Sequence, residues 1–102
     1  GREEGAEEHE TASGPSDEEL AAMVVGVRLN LAQALLKLRE FESCIIHCDK
    51  ALELDPTSTK GLWRKAKAAW GTRNPGIARE ALHGLLQLDP GNAAAVAMLR
   101  EI

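Results

Sequence analysis

The stretch ALELDP at positions 51–56 recurs as LLQLDP at positions 85–90, an internal offset of 34. At the same offset, Ala32 corresponds to Ala66, Cys44 to Ala78, and Cys48 to Leu82, and each pair is similar in being small or apolar. These positions hold small or apolar residues, which suit places where neighbouring helices approach closely. An internal period of this length indicates a chain built from one repeated supersecondary unit.

Apolar residues with helical spacing occur in two segments of each unit. The predicted helices run from Asp17 to about Leu38, over Phe41–Leu54, Thr57–Gly71 and Ile77–Leu88, and from near Asn92 onward. Asp55 and Pro56 are expected to end the second helix and to start the third, because Asp caps helices well and Pro suits the first helical position. Ser16 or Asp17 is the expected cap of the first helix. No segment is typical of a strand.

Two antiparallel helices that repeat with this period, with proline after the second, are typical of the tetratricopeptide repeat. The predicted fold class is all-α, with tetratricopeptide-repeat helical hairpins stacked into an α-α superhelix. Two full repeats occupy about 23–56 and 57–90, and residues 91–102 form a C-terminal capping helix. Each hairpin buries its apolar face only against neighbours, so the first helix is expected to keep one face bare. A homodimer through that exposed first helix is a further expectation.

Charge divides the chain into two parts. Residues 1–19 carry eight acids against Arg2, a balance of −7, whereas the rest of the chain carries eleven bases and eight acids, a balance of +3. Residues 1–16 mix acids with Gly, Ser and Pro and are expected to form a flexible acidic leader. Residues 17–102 are expected to form the repeat domain. The chain begins with Gly rather than Met, which is typical of a piece of a longer protein.

One face of the third predicted helix is basic. Lys60, Arg64 and Lys67 lie within about 60° of one another when each residue advances by about 100°, and small apolar residues occupy the opposite side. The first helix of each unit in such an array lines a concave groove. The groove is predicted to present Asn30, Gln33, Lys37, Lys60, Trp63, Arg64 and Lys67. Cations and an amide on one surface suit an acidic peptide or a chain-terminal carboxylate, through charge-assisted hydrogen bonds.

LNLA, residues 29–32, and LLKLREFESCIIHCDKALELDPTSTKGLWRKAKA, residues 35–68, resemble the repeat region of large immunophilin co-chaperones. Both the FKBP type and the large cyclophilin type are similar, over about residues 17–102. The resemblance implies a carboxylate clamp for the C-terminal Glu-Glu-Val-Asp of heat-shock protein 90 or 70 class chaperones. Asn30, Lys60 and Arg64 match three clamp residues. The other two, a Lys and an Asn, belong to a preceding repeat outside this sequence, so the clamp is expected to be partial.

The same resemblance implies a cytoplasmic or nuclear location and a parent protein that is a peptidyl-prolyl cis-trans isomerase. The chain itself shows no nucleophile–base pair, phosphate-binding loop or paired carboxylates, so neither catalysis nor a cofactor is expected within it. Two other functions stay open. The segment could serve structural self-association, or it could be the regulatory repeat domain of a larger enzyme such as a phosphatase.

Three further functions are disfavoured. Cys44, His47 and Cys48 offer too few ligands for a structural zinc, which takes four, so the thiols are expected in the core of a protein from a reducing compartment. The acidic total argues against nucleic acid. No apolar run is expected to approach the roughly 20 residues of a membrane span. Trp63 and Trp70 are expected to be packing residues.

Overall fold

In the computed structural model, residues 14–102 are described, and five helices form within this range. They are α1 (Asp17–Lys37), α2 (Phe41–Leu54), α3 (Thr59–Gly71), α4 (Pro75–Leu88) and α5 (Ala93–Glu101). α1 pairs with α2 and α3 pairs with α4; α3 also packs on α2 and touches α1, and α5 packs on α4. The predicted all-α array of two hairpins and a capping helix is confirmed for these residues. Most of the predicted acidic leader lies outside them.

The start of α1 is fixed by a reciprocal cap. The Ser16 hydroxyl accepts the Glu19 N–H at 3.1 Å, and the Glu19 carboxylate accepts the Ser16 N–H at 2.7 Å. This capping box satisfies two backbone donors that helix geometry leaves free. Ser16 is therefore the N-cap, one of the two residues expected there.

The prediction that Asp55 and Pro56 start the third helix is wrong. α3 begins at Thr59, and Ser58 is its N-cap, with its hydroxyl accepting the Gly61 N–H at 3.0 Å. The Asp55 carboxylate instead accepts from the N–H and the hydroxyl of Thr57, at 3.2 and 2.8 Å. Asp55 thus closes a short turn between the repeats, because a side chain that bonds two residues ahead favours a turn over a helix start.

The loops α1–α2 and α3–α4 are copies of one turn. Arg39 and Arg73, which occupy equivalent positions of the two repeats, both have a φ of 62°. In each loop the arginine N–H and the next N–H donate to carbonyl groups of the last helical turn, at 2.8 to 3.0 Å. This is a Schellman motif, whose left-handed position is usually glycine because a side chain is strained there. In the second loop Asn74 caps α4, which begins at Pro75 rather than at the predicted Ile77.

Two small cores lie on either side of α3. The first contains Ala66, Ala81, Leu82, Leu85 and Ala95, with Leu62, Trp63, Met98 and Leu99 packed against it. The second contains Ala32, Cys44, Cys48 and Ala68. α3 supplies an alanine to each, which lets the neighbouring helices approach closely. The buried interior is therefore built from alanine, leucine and cysteine.

The last residue of α3, Gly71, leaves no room for a side chain, because a neighbouring ring occupies that space. A Cβ atom at this position would lie 2.6 to 2.7 Å from three ring atoms of Phe41. Phe41 itself packs against the second core. The contact links the start of α2 to the end of α3 across the repeat boundary.

One face of α1 exposes a continuous apolar stripe. Its members are Leu20, Val24, Val27, Leu31, Ala34 and Leu38, and they are spaced by 4, 3, 4, 3 and 4 positions. Val27 is 66% exposed, and the opposite side of the helix buries Leu29 and Ala32. The bare face expected from the repeat count is thus present. Its spacing is that of a coiled-coil seam.

α1 also has the length and composition of a membrane-spanning helix. It has 21 residues, and its most apolar 18-residue window has a mean hydropathy of 1.4 and is 17% buried. The prediction that no apolar run approaches the length of a membrane span is therefore wrong by length and composition. The reason is that Arg28 is the one charged residue between Leu20 and Leu36. A single such helix is equally typical of a protein core or a signal sequence, so it assigns no location.

Candidate functional site

Arg64 joins the two predicted halves of the groove. Its Nη1 donates to the carbonyl oxygen of Leu29 at 2.9 Å, across 35 positions of sequence. Leu29 immediately precedes Asn30 on α1, so this hydrogen bond holds the guanidinium beside the backbone of Asn30. The structure therefore brings α3 and α1 together at two of the three predicted clamp residues.

The three predicted clamp residues differ in exposure. Asn30 and Lys60 are exposed, whereas Arg64 is half-buried, and Lys60 lies one turn before Arg64 on α3. The hydrogen bond to the Leu29 carbonyl already restricts the half-buried Arg64 side chain. Binding a ligand therefore costs this guanidinium less conformational entropy. Its remaining donors can reach a carboxylate in the groove. Lys60 adds a mobile charge at the same end.

Lys67 and Trp63, two further residues of the predicted groove, are in contact on α3. The Lys67 Nζ lies 5.6 Å from the centroid of the Trp63 ring, a distance at which a cation is attracted to an aromatic face. Trp63 also packs against the first core, which agrees with its predicted packing role. Gln33 is half-buried and Lys37 is exposed on α1. Between residues 14 and 102 no hydrogen bond joins either of them to α3.

Cys44 and Cys48 lie in the second core and are fully buried. Burial raises the pKa of the Cys48 thiol from 9.0 to about 12, helped by the neighbouring Cys44 and by Asp49. Burial also raises the pKa of Cys44, although the hydrogen bond from Cys48 and the charges of Arg64 and Lys67 oppose this. Both thiols are therefore neutral at physiological pH, whereas a metal would require thiolates.

The other potential ligand near the thiols has a structural partner. The His47 Nδ1 accepts a hydrogen bond from Arg28 Nη1 at 2.8 Å. No group of three or more His, Cys, Asp or Glu side chains in the described part of the chain could hold a metal ion. His47 thus ties α2 to α1.

The buried thiols predict a specific loss of stability in alkaline solution. Cys48 has a higher pKa when folded, so its contribution is intact below pH 9 and falls as pH rises from 9.0 toward 12. The free energy of unfolding should drop by about 1 kcal/mol between pH 8 and 10 on account of this thiol. Urea titrations followed by circular dichroism measure it. A Cys44→Ala/Cys48→Ala protein should fall less steeply than the wild type; parallel curves would contradict the assignment.

A cavity of about 790 Å³ opens where the two hairpin loops meet the C-terminal helix. Arg39, Lys67, Trp70, Arg73, Met98 and Glu101 are among the residues that line it. The Arg39 guanidinium lies 5.2 Å from the centroid of the Phe41 ring. Sequence reasoning assigned Trp70 to packing and gave Arg39 and Arg73 no binding role. The one available signal was that the two arginines are equivalent under the repeat offset.

Comparisons with known proteins agree with this architecture. A family model described as Tetratricopeptide repeat matches residues 27–58. The chain is 41% identical over 93 residues to peptidyl-prolyl cis-trans isomerase FKBP4 of Bos taurus, which covers 90% of the chain and 20% of the relative. It is 41% identical over 78 residues to FKBP4 of Homo sapiens, covering 76% of the chain and 17% of the relative. The chain thus spans about a fifth of the length of these relatives.

Two solved structures share the fold. The first repeat domain of Spaghetti (RPAP3), bound to the HSP90 peptide SRMEEVD, has a TM-score of 0.73 and 26% identity, over 76% of this chain and 63% of that chain. The Hsp90 co-chaperone Cns1 from Saccharomyces cerevisiae has a TM-score of 0.75 and 27% identity, over 89% of this chain and 28% of that chain. These similarities confirm the predicted class of stacked helical hairpins.

Proposed function

Because the chain is a tetratricopeptide-repeat array similar over nine-tenths of its length to FKBP4, we propose that it is the peptide-binding region of an FKBP-type co-chaperone. Its ligand is the acidic C-terminal peptide of a heat-shock chaperone. The observation that carries the proposal is the hydrogen bond that holds Arg64 beside Asn30. The whole protein is then a peptidyl-prolyl isomerase of the cytoplasm, with the nucleus as a second location, and its catalysis belongs to another domain.

The three groove residues have distinct roles in this proposal. Lys60 and Arg64 bind carboxylates of the peptide, since charge-assisted hydrogen bonds are the stronger kind. Asn30 binds the terminal backbone, where one donor and one acceptor are needed together. Gln33, Lys37, Trp63 and Lys67 contact the preceding residues of the peptide. The HSP90 class is favoured over the HSP70 class because the Spaghetti domain, similar in fold, is bound to an HSP90 peptide.

Arg64→Ala should weaken binding of the peptide SRMEEVD by about ten- to hundredfold, because it removes hydrogen bonds to a charged group. Fluorescence anisotropy or NMR titration measures the change, since affinity is expected to be weak with a partial clamp. Lys60→Ala should weaken binding without touching the fold, because Lys60 is exposed. Arg79→Ala, on an exposed position of α4, is the control with the same loss of charge.

The chemistry of the peptide terminus provides a second control. The same peptide with an amidated C-terminus should bind the wild-type chain much less tightly, since the clamp recognises the terminal carboxylate. Equal binding of the amidated peptide would overturn the clamp. Unchanged affinity in both Lys60→Ala and Arg64→Ala would do the same.

We also propose self-association as a second function, carried by the α1 stripe. Leu20, Val24, Val27, Leu31, Ala34 and Leu38 repeat with heptad spacing, and a stripe of this kind can pair with its own copy about a two-fold axis. The ends of α1 are complementary, since Asp17 lies at one end and Lys37 lies at the other. Antiparallel pairing places these opposite charges together.

A further inference from the structure

The cavity at the hairpin loops collects an unusual set of cations. Arg39, Lys67 and Arg73 all line it, and Glu101 is the one acidic side chain among the described residues that line it. Trp70 and Phe41 give it an aromatic wall. The only ion pair within residues 14–102 is Lys65 with Asp49, at 2.7 Å. No described carboxylate therefore lies within ion-pairing distance of the three cavity cations.

The backbone at two of these cations is strained. Arg39 and Arg73 both occupy the left-handed region, with φ at 62°. Glycine would occupy this position without strain, so turn geometry gives no reason for arginine at either loop. The contact with the Phe41 ring accounts for part of the preference at Arg39, and no such contact is present at Arg73 among the described residues. Strained non-glycine residues concentrate where binding requires their side chains. The repetition at equivalent loops, with both side chains lining one cavity, favours a shared ligand.

The position of the cavity relative to the groove sets which part of a peptide reaches it. Trp70 follows Arg64 by six positions and Lys60 by ten on α3, which corresponds to about 9 and 15 Å along the helix. An extended peptide advances by about 3.3 Å per residue. A peptide that runs along α3 with its terminal carboxylate at Lys60 therefore brings the side chain about five residues earlier to the cavity.

We propose that Arg39, Lys67 and Arg73 form an anion subsite for a carboxylate or phosphomonoester side chain about five residues before the terminal carboxylate of the bound peptide. This inference rests on the proposed function and deepens it. The subsite selects among acidic C-terminal peptides by their upstream charge. Arg39 and Arg73 bind the anion, while Lys67 links the subsite to the groove through its contact with Trp63.

The test compares peptides that differ at one upstream position. The first is SRMEEVD, and in the others its arginine is replaced by glutamate or by phosphoserine. The wild-type chain should bind both anionic peptides about three- to fivefold more tightly than SRMEEVD, which is the usual scale for exposed ion pairs. In Arg73→Gly the gain should fall below about twofold, while the affinity for SRMEEVD stays within about twofold of wild type. Arg79→Ala, with the same change in net charge, should keep the gain.

Folding does not confound this variant, because glycine relieves strain at position 73. The thermal midpoint of Arg73→Gly should equal or exceed that of the wild type. The indole N–H resonance of Trp70 in NMR titrations reports directly on the cavity and should shift more with the anionic peptides.

The outcomes separate the two proposals. If SRMEEVD binds and Arg64→Ala abolishes binding, but the anionic peptides gain nothing, the subsite is wrong and the clamp stands. A gain that survives in Arg73→Gly overturns the subsite as well. If no peptide binds and Trp70 does not shift at millimolar concentrations, both proposals fail. A larger gain with phosphoserine than with glutamate assigns the subsite to phosphorylated peptides.

Discussion

Leu82→Ala is expected to lower the free energy of unfolding by about 2 to 5 kcal/mol, the range for removing a large buried side chain. Leu82 is fully buried in the first core, which is built by residues from α3, α4 and α5. Larger side chains such as Leu62, Leu85 and Met98 surround it, and a close-packed interior relaxes only in part around a cavity. A domain of this size is stable by only about 5 to 15 kcal/mol. A large share of that stability would be lost.

Leu88→Ala is the matched control, because it removes the same atoms from the same helix at a position that is 44% exposed. It should cost less than about 1 kcal/mol. Urea denaturation followed by far-ultraviolet circular dichroism measures both variants under the same conditions. Equal midpoints for the two variants would show that α4 does not pack as described.

Val27→Glu is expected to abolish self-association through α1. Val27 lies in the middle of the apolar stripe and is the most exposed of its members on α1. Pairing about a two-fold axis would bring two added carboxylates to the centre of an apolar seam, where an unpaired charge is costly. The dissociation constant should rise at least about tenfold. The monomer should fold normally, because Val27 belongs to neither core.

Sedimentation equilibrium over a range of concentrations measures this effect. The wild-type chain should approach the mass of a dimer as concentration rises, and Val27→Glu should remain at the mass of a monomer. Ala22→Glu adds the same charge to an exposed position of α1 outside the stripe and should associate like the wild type. A wild-type chain that stays monomeric at every concentration would eliminate this second function.

The fold could be predicted almost completely because its signals are local and repeated. The helices follow from apolar spacing, and the repeat offset identifies which helices are equivalent. Where the prediction failed, a competing local interaction decided the outcome. Asp55 was expected to cap α3, but its carboxylate is occupied by Thr57, and Ser58 is left to cap the helix. Residue preference alone does not distinguish these alternatives.

The candidate site was only partly accessible to sequence reasoning. The basic face of α3 is visible from helical spacing, and the family resemblance selects Asn30. The hydrogen bond from Arg64 to Leu29 depends on how two helices from different repeats meet. The anion cavity is harder still to predict, because Arg39 and Arg73 occupy positions where sequence rules lead one to expect glycine. Their left-handed backbone and common cavity appear only in three dimensions.

The division of the interior on either side of α3 has a consequence for local unfolding. Ala68 belongs to the core shared with α1 and α2, and Ala66 belongs to the core shared with α4 and α5. One hairpin can therefore open while the other stays packed, as in other stacked repeats. Amide hydrogens of α3 should then exchange most slowly with solvent, since exposing them requires both openings. A peptide that bridges Asn30 and Arg64 would couple the two hairpins, so binding would slow exchange in both at once.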